Sequence, residues 1–163
     1  MVLPGPFLVQ TICLSVVIMI RKFLAGLSFL LVYQSGSAQG RINVRISNFE
    51  NDKGSCIVCV YDNARSFSEK GGTPVSCQTV PITGKNATAV FENLKPGPYA
   101  VMVIHDANNN RKFDNNFLGI PKEGYGASQN KLPFAAAPKF EENKITVTDN
   151  ATTTSNIRLR YIF

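Results

Sequence analysis

From residue 40 onward the chain alternates. In "RINVRIS" (41–47), Ile42, Val44 and Ile46 fall on one side and Arg41, Asn43 and Arg45 on the other. A period of two puts successive side chains on opposite faces of an extended chain, so this stretch reads as a strand with one face buried and one wet. "NDKG" (51–54) is a turn, and "SCIVCVYD" (55–62) is apolar on both faces, which suits a central strand. "VSCQTVPITG" (75–84), "ATAVFENL" (87–94) and "PYAVMVIHD" (98–106) follow, then "NKITVTD" (143–149) and "SNIRLRYIF" (155–163). No segment holds a 3.6-residue period of useful length, and there is no internal repeat. Short strands separated by turn signals predict an all-β fold, a seven-stranded antiparallel β-sandwich. The 163 residues make about one domain, and 44% hydrophobic residues are enough for a core.

One connection does not fit a simple sandwich. Residues 107–142 contain no clear strand, yet they carry Phe113, Phe117, Leu118, Ile120, Tyr125, Leu132, Phe134 and Phe140. Ordered loops of this length are uncommon and usually functional. The apolar residues have to be buried somewhere, so the loop is expected to pack over one end of the sandwich. Core packing is the expected use of Tyr125 and Phe117, with an exposed aromatic platform for sugar or peptide as the other reading. Gly119, Gly124 and Gly126 point to backbone that needs either a positive φ or a close approach.

The first 38 residues read as targeting. "RKFLAGLSFLLVYQSGSAQG" has a basic start at Arg21 and Lys22, an apolar centre and a small-residue end, the layout of a secretory signal peptide cleaved after Ala38. Residues 1–18 add a second apolar run ahead of the charges, so Met19 is the expected true start and 1–18 an extension. The alternative is a membrane anchor over residues 7–33, which would leave Arg21 and Lys22 mid-span at high cost. Cleavage leaves a single domain, 39–163, with no stable membrane span. Cys13 follows Thr11-Ile12 rather than the small residues of a lipidation signal.

The formal charge is +6, and losing Arg21 and Lys22 leaves fifteen basic against eleven acidic residues, a net +4 spread along the chain. That supports solubility and gives no basic patch for nucleic acid. The Thr- and Asn-rich C-terminal half suits a secreted or periplasmic protein. Three cysteines remain in 39–163. Cys56 and Cys59 are three apart on one strand, about 10 Å at about 3.3 Å per residue and on opposite faces, too far to bridge. With Cys56, Val58 and Val60 inward, Cys59 faces out. Val80 and Ile82 inward turn Cys77 out as well, which predicts a Cys59–Cys77 disulfide and a free core thiol at Cys56.

"FENLKPGPYAVMVIHD" (91–106) looks like the end-of-sandwich hairpin of prealbumin-like domains, such as collagen-adhesin B-type repeats and carboxypeptidase regulatory domains. Its continuation, "HDANNNRKFDNNFLGIPKEGYGAS" (105–128), resembles the signature of the secreted bacterial family known as domain of unknown function 2141. The shared pattern is His-Asp-x-Asn-x-Asn, an Asp, then Gly-Ile-Pro-x-Glu-Gly-x-Gly-x-Ser, with "APKF" further on. The resemblance covers about residues 40–163. It implies a secreted prealbumin-like or immunoglobulin-like β-sandwich and no established activity.

The same stretch carries the candidate chemistry. Asp106, Asn108, Asn110 and Asp114 stand at positions 1, 3, 5 and 9 of a calcium-type loop, with the Lys112 carbonyl at 7. Arg111 at position 6 and Phe117 at position 12 depart from a helix–loop–helix calcium loop, where glycine and glutamate stand. A cluster of Asx turns accounts for the same residues without a metal. His105 extends the inward phase of Tyr99, Val101 and Val103, which suits a hydrogen-bonded core residue. A hydrolase reading would join His105, Asp106, Glu123 and Ser128 into an acid–base cluster, provided that they converge. The expected function is a secreted envelope binding or structural module for a protein or glycan, calcium-stabilised in one reading. The hydrolase is the alternative.

Overall fold

In a computed structural model the described residues are 39–68, 72–117, 119–133 and 136–162. The leader expected over 1–38 lies outside them, as do Leu118 and Phe134. Residues 38–163 form one compact unit, and every core residue comes from within it.

The unit is a β-sandwich. Its strands are β1 (Gly40–Ser47), β2 (Ser55–Tyr61), β3 (Ser76–Val80), β4 (Asn86–Leu94), β5 (Gly97–Asp106), β6 (Tyr125–Ala127), β7 (Ile145–Val147) and β8 (Thr152–Arg158). Two short helices, α1 (Ala64–Ser68) and α2 (Phe140–Asn143), lie between strands. One sheet has the order β4-β1-β8. The other has the order β3-β2-β5-β6, with β7 pairing an earlier part of β5.

The inner faces follow the alternation. Ile42, Val44 and Ile46 of β1 and Ala87, Ala89 and Phe91 of β4 are buried against Cys56, Val58 and Val60 of β2 and Val101 and Val103 of β5. Arg41, Arg45, Thr88 and Glu92 cover the outer face of the three-stranded sheet. Such one-sided burial is what an alternating sequence encodes.

The strand count corrects the expectation of seven to eight among the described residues. The additional strand is β6, three buried residues inside the long connection, too short to display a period. The expected third strand also shortens to Ser76–Val80, and the last one begins earlier, at Thr152. The sandwich is not wholly antiparallel, because β1 and β8 run parallel, Ile42 opposite Thr153 and Ile46 opposite Ile157. Alternation fixes which face is buried but carries no information about strand direction.

The long connection does not pack over one end. With α1 and α2 it covers the outer face of the five-stranded sheet, where Phe67, Tyr125, Leu132 and Phe140 cluster on Ala100 and Ala127. Phe67 stands edge-on to both Tyr61 and Phe140. This second layer explains why β2 and β5 are apolar on both faces. Phe113 and Ile120 stay partly exposed, and Phe117 is 95% exposed, against the expectation that it packs in the core.

Cys59 and Cys77 face each other across β2 and β3 and form the disulfide, while Cys56 is free and buried. Closing a loop of 18 residues contributes about 3 kcal/mol on the chain-entropy account. Burial pushes the Cys56 thiol up from 9.0 to about 12. Burial also raises Tyr61, Tyr99 and Tyr161. The unfolded thiol ionises first, so stability is intact below about pH 9 and falls as pH rises towards 12, by up to about 1.4 kcal/mol per pH unit for this group. Melting midpoints taken at neutral pH and near pH 11 should therefore diverge, and Cys56→Val should narrow the gap. An equal alkaline drop in that variant would remove the thiol from the account.

Candidate functional site

β5 ends at Asp106, and the chain turns there because Asp106 offers both carboxylate oxygens to the backbone ahead. Oδ1 accepts from the Asn110 N–H at 3.0 Å and Oδ2 from the Arg111 N–H at 2.9 Å. Asn108 Oδ1 accepts from the Asn110 N–H at 3.0 Å, and Asn110 Oδ1 from the Lys112 N–H at 2.7 Å. These are nested Asx turns, in which a short polar side chain replaces a backbone partner. They hold Asn109 and Arg111 at φ of 57° and 59°, which Asn tolerates and Arg adopts at a cost. Asp106 is fully buried, and backbone donors meet its charge.

The side-chain heads of Asn108, Asn110 and Asp114 meet. Asp114 Oδ2 accepts from Asn108 Nδ2 at 2.8 Å and from Asn110 Nδ2 at 2.9 Å. Glu123, also buried, closes the loop from the far side. Its Oε1 accepts from the Ala107 N–H at 3.2 Å and its Oε2 from the Asp114 N–H at 3.1 Å. One carboxylate thus spans the two ends of the polar loop. Among the described residues no three His, Cys, Asp or Glu side chains are grouped as metal ligands. The convergent set here is two amides and one carboxylate, with Asp106 behind them.

His105 points inward, as its phase indicates. It is 1% exposed and stands edge-on to Phe49 and to Tyr161. Nε2 lies 2.8 Å from the Lys53 carbonyl and Nδ1 lies 2.8 Å from the Tyr161 hydroxyl. A carbonyl only accepts, so Nε2 donates to Lys53, and Nδ1 is left as the partner of the Tyr161 hydroxyl. The Tyr161 oxygen accepts in turn from the Glu50 N–H at 3.0 Å. Tyr161 can lie there because residue 124 is glycine: a Cβ at that position would meet its ring at 2.4 Å. Gly126 likewise admits Ile157, whereas Gly119 is the one of the three that takes a positive φ.

Ser128 is buried, and its hydroxyl is engaged on two sides. Oγ accepts from the Val101 N–H at 3.0 Å and donates to the Asn143 carbonyl, while the Ser128 carbonyl accepts from Ser155 Oγ at 2.9 Å. His105, Asp106, Glu123 and Ser128 each bind backbone or Tyr161, and no hydrogen bond joins one of their side chains to another. An open groove of about 590 Å³, lined by residues including Asn130, Arg158 and Arg160, includes none of the four. The four side chains share no hydrogen bond, so the geometry gives the hydrolase alternative no support.

Two of the most connected residues carry no signal at the level of the sequence. Asn143 is fully buried, accepts from the Gln129 and Lys131 N–H groups and donates to the Lys131 and Lys139 carbonyls. Tyr161 fell at the end of an alternating run. Only its partnership with the chain's single histidine marks it out.

Comparison with known families matches residues 44–155 to the model of DUF2141, described as an uncharacterized protein conserved in bacteria. No curated protein matches. Among solved structures, the chain is similar to GBS52, the minor pilin of the Gram-positive pathogen Streptococcus agalactiae, at 10% identity and a TM-score of 0.36, over 77% of this chain and 46% of that one. It is also similar to a leucine-rich repeat protein from Bacteroides thetaiotaomicron VPI-5482, at 14% identity and a TM-score of 0.34, over 76% of this chain and 12% of that one. The chain spans less than half the length of either.

Proposed function

Because this chain belongs to the DUF2141 family, we propose that it is a secreted or periplasmic module of the bacterial cell envelope that binds or scaffolds an envelope protein or glycan and performs no catalysis. The observation that carries this reading is the Cys59–Cys77 disulfide on the outer side of the five-stranded sheet. Disulfides persist in oxidising compartments and are rare in the cytosol. The inward commitment of His105 and Ser128 supports the non-catalytic half of the reading. The test is the protein recovered from the producing cell. Mass spectrometry should find Gln39 at the N-terminus, with or without cyclisation, and non-reducing peptide mapping should link Cys59 to Cys77. Intact residues 1–38 in the membrane fraction, or three reduced thiols in a cytosolic fraction, would overturn it.

A second reading, that the polar loop takes calcium, is favoured by the meeting of Asn108, Asn110 and Asp114 at one point. The ion would be held by Asp106, Asn108, Asn110, Asp114 and the Lys112 carbonyl, oxygen donors of the kind calcium takes. The two amides would present oxygen where they now present nitrogen. Extracellular modules bind at about 10⁻⁴–10⁻³ M, so about 1 mM calcium would stabilise the fold by up to about 1.4 kcal/mol. Asp114→Asn should abolish that gain. Asp106→Asn is the poorer probe, because its new amide would face the backbone N–H groups that the carboxylate now caps. Melts of both proteins in calcium and in chelator decide the matter. An unmoved wild-type midpoint identifies the loop as a turn scaffold alone.

A further inference from the structure

Among the described residues, three of the five exposed large hydrophobic residues, Phe113, Phe117 and Ile120, fall within one short stretch of the signature loop. Scattered single exposures are ordinary, whereas a cluster at a loop tip is not. Residues 114–117 and 119–122 form the two sides of a small hairpin. The Lys122 N–H donates to the Asp114 carbonyl at 2.9 Å, and Asn115 bridges Pro121. The turn is closed twice over Asn116, by the Gly119 N–H on its carbonyl and by the Ile120 N–H on its side chain, both at 2.9 Å. Phe117 stands on this turn, 95% exposed. The base is fixed by the Glu123 carboxylate and by Phe113, whose ring stands edge-on to the buried Tyr125 at 5.8 Å. The Phe117 side chain is therefore held out on a braced support.

The charge around it has one sign facing outward. Arg111, Lys112 and Lys122 are exposed, and no ion pair or hydrogen bond holds their side chains among the described residues. Of the acidic residues of the loop, Asp106 and Glu123 are buried on backbone N–H groups, and the half-buried Asp114 is tied to two amides. An exposed aromatic tip on a loop that also carries three unpaired, exposed cations matches an anionic lipid surface, where the ring would enter the interface and the cations meet the headgroups.

We propose that the tip of this hairpin docks the domain on anionic membrane surface, with Phe117 inserted and Arg111, Lys112 and Lys122 on the headgroups. The proposal rests on the envelope reading for the compartment in which lipid is met. It is tested with purified protein, so its failure would leave the export result untouched.

The chain contains no tryptophan, so Phe117→Trp in the unit 38–163 is a single fluorescent reporter at the tip. With vesicles of phosphatidylcholine and phosphatidylglycerol, its emission should shift to the blue and be quenched by brominated lipid. With phosphatidylcholine alone, or at high salt, the response should fall by tenfold or more. Replacing Arg111, Lys112 and Lys122 together by Gln should lower partitioning on the order of 100-fold. Phe117→Ser should abolish co-sedimentation with an unchanged melting curve, since the ring touches little of the fold. Emission that stays unshifted on anionic vesicles overturns the proposal. So does a blue shift that needs only higher protein concentration without lipid, which would make the tip a contact between copies of this chain.

Discussion

Gly54→Ala is expected to lower the unfolding free energy by about 3 kcal/mol, the sum of two separate costs. The position has a φ of +74°, where an L-residue is strained by about 1–2 kcal/mol. A Cβ there would also stand 2.0 Å from the Asp106 carbonyl oxygen and 2.7 Å from the Ala107 Cα. Both obstacles are backbone, so relief requires moving the β1–β2 connection away from the end of β5, an overpacking cost of about 1–3 kcal/mol. That movement would carry the Lys53 carbonyl away from His105 Nε2. Gly84→Ala is the matched control: its φ is +57° and a Cβ meets nothing within 4 Å, so it should show only the strain. In a domain of this size the Gly54 variant should melt roughly 10 °C lower and the Gly84 variant a few degrees lower. Equal losses in the two would show that the clash relaxes freely.

Asn143→Leu is expected to cost about 3–5 kcal/mol. The fully buried side chain satisfies two N–H groups and two carbonyls from the connection between β6 and α2, in part-buried hydrogen bonds. Each buried group left without a partner costs about 1–3 kcal/mol, and leucine replaces none of them. Hydrogen exchange gives a local signature: the amides of Gln129 and Lys131 should lose protection beyond that expected from the drop in global stability. Urea unfolding within 1 kcal/mol of wild type would mean that this connection re-forms its bonds elsewhere.

These two residues also mark the limits of what can be read from a sequence. The sandwich faces were legible because Ile42, Val44 and Ile46, or Tyr99, Val101 and Val103, repeat at a fixed interval. The same parity gave the inward His105 and the outward pair Cys59 and Cys77. It could not give β6, whose Tyr-Gly-Ala is too short to show a period. Nor could it give α2, one turn long. "FEEN" looks like any helix end, and nothing local announces that its Asn is fully buried at the centre of four hydrogen bonds. At the candidate site the Asx spacing of 106, 108 and 110 was readable because those bonds are local. Glu123 needed the structure, since its role comes from bridging two backbone positions seven residues apart, Ala107 and Asp114. Phe117 was assigned to the core because hydrophobicity alone does not tell a buried ring from a displayed one.

The parallel pairing of β1 with β8 sets Arg41 beside Thr152 and Ser47 beside Arg158, the first strand of the domain beside the last. A chain made from its N-terminus therefore holds β1 with one flank open until nearly the whole domain has been synthesised. The Tyr161 bond to His105 comes later still. Contacts of such large sequence separation are slow to form, and they place this fold among the slower single domains. The domain closes as a unit only once its C-terminal strand arrives.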